Sequence, residues 1–143
     1  MTYEPKKKGT VLIPSGPRGD TRHLFVILTD KCDKGYHLIA NLTTVQPHMY
    51  HDPTCEIRAG EHPWVRHDSF IMYGMIEVIK SDKLIDKVDG GEYPTRADVS
   101  DGLFSRIRNG IMKSRHTKQV ARDYYKKQLD AEANKAVPKD RKK

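Results

Sequence analysis

Apolar residues in the first 80 positions come in short runs broken by polar turns, at the two-residue period of strands and not the 3.6-residue period of helices. Thr10 to Pro14 (TVLIP) reads as a strand, closed by the loop Ser15-Gly16-Pro17-Arg18-Gly19-Asp20. Arg22 to Thr29 (RHLFVILT) is continuously apolar between its polar ends, the pattern of a central strand buried on both faces. Gly35 supplies a turn with positive φ. His37 to Leu42 (HLIANL) follows as a third strand with Leu38, Ala40 and Leu42 on one face, ending at Thr43 and Thr44. Gln46-Pro47 and Asp52-Pro53 bracket a loop, because proline and its predecessor disfavour helix. Cys55 to Ala59, Ser69 to Tyr73 and Met75 to Lys80 are further short strands, the last two meeting at a bend on Gly74. With no helical pattern between them, these strands predict a compact antiparallel barrel.

Past Asp89-Gly90-Gly91 the period changes. Leu103, Ile107 and Ile111, with Phe104 beside them, make the apolar stripe of a helix over 100–112, with Ser100 as N-cap. Gly110 costs that helix about 1 kcal/mol relative to alanine, so a close packing contact is expected there. A second helix is predicted over 117–133, with a sparse apolar face of Val120, Tyr124 and Leu129. The predicted organisation is a disordered basic start (1–8), a β-barrel (9–92), C-terminal helices (93–133) and a disordered basic tail (134–143): mainly β with C-terminal helices, an α+β chain.

Composition adds an uneven charge. Residues 1–112 hold 15 basic and 15 acidic side chains, and residues 113–143 hold 11 and 4, so the last segment carries the whole net charge of +7. A basic tail on a neutral body is an electrostatic arm for nucleic acid or an acidic protein. No apolar run approaches the roughly 20 residues of a membrane span, and MTYEPKKKG lacks the apolar segment of a signal peptide, so a cytoplasmic location is expected. Cys32 and Cys55 form no CxxC pair and are expected to be structural thiols.

The stretch from His48 to His67 holds four of the seven histidines, one cysteine and the sole tryptophan. Its spacings match neither a zinc ribbon nor HExxH, so no metal site and no cofactor is expected. Nothing local lowers the pKa of Cys55 for nucleophilic catalysis. Acid-base cleavage of a phosphodiester asks for less: a base for the 2′-hydroxyl, a proton for the leaving oxygen and a cation for the phosphorane. Arg22 is a candidate cation, Thr43 or Thr44 a candidate hydroxyl, and His62 or His67 a candidate proton carrier.

Gly9-Thr10-Val11, the Gly/Pro/Arg loop, the run Arg22 to Leu28 and Asn41-Leu42-Thr43-Thr44 together resemble the MazF/PemK family of toxins of toxin-antitoxin systems. The family's arginine-proline is Arg22-His23 here, and Gly60 to Trp64 with His67 to Phe70 is similar to a divergent PemK-like branch. The resemblance implies an SH3-like barrel with C-terminal helices. It also implies a metal-independent endoribonuclease for single-stranded RNA, a protein antitoxin and the family's homodimer. Arg22 and Thr43 occupy the family's catalytic positions, with His62 or His67 as proton carrier. Arg18, Thr44, Trp64 and Ser69 are expected to bind substrate. Two alternatives stand beside this reading, a non-catalytic RNA- or protein-binding barrel and a metal-stabilised interaction protein.

Overall fold

The computed structural model describes residues 2–15 and 21–136. Among the described residues, seven strands and three α-helices follow in the order β1 (Thr10–Ser15), β2 (Thr21–Ile27), β3 (Tyr36–Thr44), β4 (Glu56–Ile57), β5 (Ser69–Ile71), β6 (Glu77–Lys80), α1 (Ser81–Asp89), β7 (Thr95–Arg96), α2 (Asp101–Lys113) and α3 (Gln119–Ala136). All ladders are antiparallel, and the sheet runs β4-β5-β3-β2-β1-β7. β3 is the hub. One edge pairs β2 through Phe25↔Asn41 to Ile27↔Ile39, while the other pairs β6 along Tyr36 to Ile39 and β5 along Leu42 to Thr44. The chain crosses between these two partners through a 3-10 turn at Tyr73–Met75, the bend expected at Gly74. The fold is therefore an antiparallel sheet with three helices.

The sheet is buried on both faces because alternate side chains feed two cores. Leu24, Val26 and Leu28, with Leu38, Ala40 and Leu42, join the larger core under α2 and α3. Ile27 and Ile39 join a smaller one with Val11, Ile79, Leu84 and Tyr93, and Phe25 packs against it. Leu84 belongs to α1, a helix absent from the sequence expectation, and the continuous apolar run of β2 now has its second cover. Tyr3 also packs on this side, and its N–H donates to Asp89 Oδ1 at 2.8 Å. The basic start is thus held against the body, where composition alone predicted disorder.

The helix over 100–112 forms as expected, and the Ser100 side chain accepts from the Leu103 N–H. Gly110 is there for packing: the Tyr73 ring and hydroxyl occupy the space a Cβ would need, and that hydroxyl donates to Ile107 O at 2.7 Å. α3 turns a different face inward than its pattern suggested. Ala121, Tyr125 and Gln128 are buried, whereas Val120 is 74% exposed. Arg108 clamps the two helices, lying against the Phe104 and Tyr125 rings and pairing with Glu132 at 2.9 Å. Of the segment 134–143, residues 134–136 continue α3 and the remainder lies outside the described residues.

Candidate nucleic-acid groove

Among the described residues, the β2–β3 ladder is recorded only as far as Phe25↔Asn41, although β2 begins at Thr21 and β3 ends at Thr44. A groove of about 400 Å³ lies where β2 pairs with β1 and β3 with β5, lined by Thr21, Arg22 and His23 of β2, Leu42 and Thr44 of β3, Ser69 of β5 and residues 63–67 of the β4–β5 connection. The β3–β5 ladder sets Thr44 opposite Ser69.

The expected site residues divide. Arg22, Thr44, Trp64, His67 and Ser69 share this groove. Thr43 does not line it: strand alternation turns its side chain to the opposite face, where its Oγ1 accepts from Asn41 Nδ2 at 3.2 Å. His62 is buried outside the lining, with both ring nitrogens engaged. Nε2 donates to Ala97 O at 2.6 Å, and Nδ1 accepts from the Trp64 N–H at 3.0 Å. Arg18 lies outside the described residues. Sequence reasoning passed over Arg66 and His23, which also line the groove. The available signal was the pair Arg66-His67 just before a strand, a cation and an imidazole beside the polar Asp68 and Ser69.

The connection that forms one wall is held at several points. Val65 is buried in the larger core, its N–H donates to His62 O, and its carbonyl accepts from Gly60 N–H, both at 2.9 Å. Gly60 takes φ 93°, a conformation suited to glycine. Glu61 pairs with Arg106 of α2 and accepts from Arg58 N–H at 2.7 Å. Burial opposes its ionisation, but these donors outweigh burial and hold its carboxyl below the usual range. Ala59 N–H donates to Asp68 Oδ1 at 3.0 Å, and Val45 N–H to Asp68 O at 2.9 Å, tying the returning strand to the end of β3.

Charge is one-sided in the groove. Its described lining holds two arginines and two histidines and no carboxylate, which suits a polyanion. The rest of the histidine-rich stretch lies elsewhere. His51 Nε2 bonds Glu56 Oε2 at 2.5 Å, His48 is exposed, and no group of three or more metal-ligating side chains is found among the described residues. Cys55 is a buried free thiol whose pKa burial pushes up, the wrong direction for a nucleophile. No helix of the described residues is long and apolar enough to cross a membrane.

Compared with solved structures, this geometry finds relatives. Crystal structures of MazE-MazF from Deinococcus radiodurans match with a TM-score of 0.52 at 12% identity in Form-III, covering 78% of this chain and 95% of that one. Form-II gives 0.51 at 13%, with 78% and 94% covered. The fold is MazF-like. No protein-family model matches the sequence, and no curated protein matches it either. At such identity the likeness concerns the fold, and activity is argued from the MazF-like chain's own groove.

Proposed function

We propose that this MazF-like protein is a toxin-type endoribonuclease that cleaves single-stranded RNA with side chains alone. The observation that carries the reading is the groove itself, which brings Arg22, His67, Thr44 and Ser69 together in a cationic lining free of carboxylates among the described residues. His67 takes the proton of a 2′-hydroxyl, whose oxygen attacks the adjacent phosphorus. The Arg22 guanidinium binds the dianionic phosphorane as charge builds, and the Thr44 hydroxyl orients the phosphate, while the Ser69 hydroxyl donates to His67 O at 2.8 Å and so braces the histidine's backbone. The P–O5′ bond breaks, and the 5′-oxygen leaves with a proton from water at the open mouth. Thr44 takes the hydroxyl role by facing the groove, and His67 takes the proton, since both nitrogens of His62 are committed to the backbone.

The sheet is read as an SH3-like barrel, with β3 shared between two successive ladders on one edge as its corner. A protein antitoxin is the proposed partner, as MazE accompanies MazF in the matching structures, and a homodimer in the cytoplasm belongs to the same proposal. Full-length protein incubated with single-stranded RNA and a chelator is expected to give 2′,3′-cyclic phosphate and 5′-hydroxyl ends. Salt-sensitive binding without any cut would replace the enzyme by an RNA-binding module.

A further inference from the structure

Trp64 is the sole tryptophan of the chain and one of its larger exposed apolar side chains, 38% exposed between the buried His62 and Val65. It is held there by a backbone with little freedom. Its own N–H is spent on His62 Nδ1, His62 Nε2 is anchored on Ala97 O, and Val65 is inserted in the core. Ala97 O also accepts from the buried Thr10 Oγ1 at 2.9 Å, so the anchor is itself fixed to β1. An indole presented on a rigid turn costs little entropy to dock, and it borders a groove with Arg22 and Arg66. Aromatic faces beside cations are how proteins hold unpaired bases: the base stacks on the ring while the flanking phosphates meet the arginines.

We infer that Trp64 is a base-stacking platform that places one nucleotide of a single strand beside Arg22 and His67, on a turn braced by His62. This deepens the ribonuclease reading and rests on its substrate class. A buried histidine whose two nitrogens bridge Ala97 O and the Trp64 N–H is thereby explained as the support of a recognition residue rather than as chemistry. Stacking accepts any base, so the platform contributes affinity and register, while sequence preference comes from the polar groups around it.

The test uses the intact protein and a 2′-O-methyl single-stranded oligonucleotide, which has no free 2′-hydroxyl and stays uncut. Because Trp64 is the only tryptophan, its emission reports the platform alone. Titration should quench it saturably, with the same midpoint as the anisotropy of the labelled strand. A strand of equal length and charge with abasic positions throughout should quench it far less. Trp64→Ala should weaken binding roughly tenfold, and Trp64→Phe, which keeps an aromatic face, by no more than about threefold. Equal quenching by the abasic strand, or unchanged affinity in Trp64→Ala, overturns the inference. If RNA is cut normally while Trp64→Ala changes nothing, only the platform fails. If the uncut strand quenches Trp64 but RNA is never cleaved, only the ribonuclease reading fails. Absence of any oligonucleotide binding removes both.

Discussion

His62 and His67 are five positions apart and chemically identical, yet the fold gives them opposite tasks. The first is buried with both nitrogens bonded to backbone groups, and the second lines an open cationic groove. His67→Gln should therefore slow RNA cleavage by about 10²-fold or more at unchanged stability. His62→Ala should lower stability by about 1–3 kcal/mol, because the Trp64 N–H and Ala97 O lose a partner, and chemical denaturation separates the two effects. Local sequence does not distinguish them, since the decisive acceptor, Ala97 O, is 35 residues away in the chain. Thr43 and Thr44 show the same limit at closer range. Both close β3, but a strand turns neighbours to opposite faces, and only the register against β5 shows that Thr44 lies opposite Ser69. Gly110 was legible, since glycine inside an otherwise regular helix needs a packing reason. Gly110→Ala should destabilise by about 1–3 kcal/mol, as the added methyl meets Tyr73, whose hydroxyl is committed to Ile107 O. A thermal melt reads this directly.

Among the elements, the two long helices were legible in the sequence and the short one was not. The stripe of Leu103, Phe104, Ile107 and Ile111 and the cap at Ser100 define α2 in sequence and structure alike. Ser100→Ala should cost about 1 kcal/mol by removing the acceptor for the Leu103 N–H. α1 is amphipathic but only nine residues long, with Leu84 buried in the smaller core, and so short a stripe directly after a strand-like run was passed over. α3 has few apolar residues, and its buried face includes the small Ala121 and the polar Gln128, which a search for large apolar side chains passes over. Charge on one side of that helix should be harmless and on the other costly. Val120→Lys should change stability by less than about 0.5 kcal/mol, whereas Ala121→Lys, which forces a long cation into the core beneath α3, should cost about 2 kcal/mol or more by denaturant midpoint. The shape of the β4–β5 connection was not legible in the sequence. Its shape follows from Val65 in the core and Glu61 on Arg106, contacts between distant parts of the chain.

For the whole molecule, a sheet covered on both faces places one buried histidine where pH acts on folding. His37 lies within the smaller core's side of β3, with Nδ1 against Thr29 O at 2.9 Å and Nε2 against Ser81 Oγ at 3.0 Å. Burial pushes its pKa below the ordinary value of 6.5; the Thr29 carbonyl and Asp30 oppose that shift and Lys31 adds to it. The unfolded chain therefore binds a proton more readily than the native one. Stability from this group is complete above about pH 6.5 and is lost as pH falls through the lowered native value. Denaturant midpoints should drop on going from pH 7.5 to 5.5, and His37→Gln should flatten that drop. Asp52 acts in a separate, more acidic window. Burial opposes its charge, but hydrogen bonds from Ser114 and Thr54 prevail and lower its pKa, so its contribution is present above about pH 4 and lost below.

At this scale the account stands on the groove between β2, β3 and β5 acting on RNA through Arg22. The most direct measurement is the rate of single-stranded RNA cleavage by the pure full-length protein in a chelator, compared with Arg22→Ala. Arg22 is exposed at the groove edge, so the variant should unfold at the same midpoint as the parent. The expected result is cleavage by the parent and a rate lower by about 10²- to 10³-fold in the variant. No cleavage by the parent, or equal rates for the two proteins, would contradict the account.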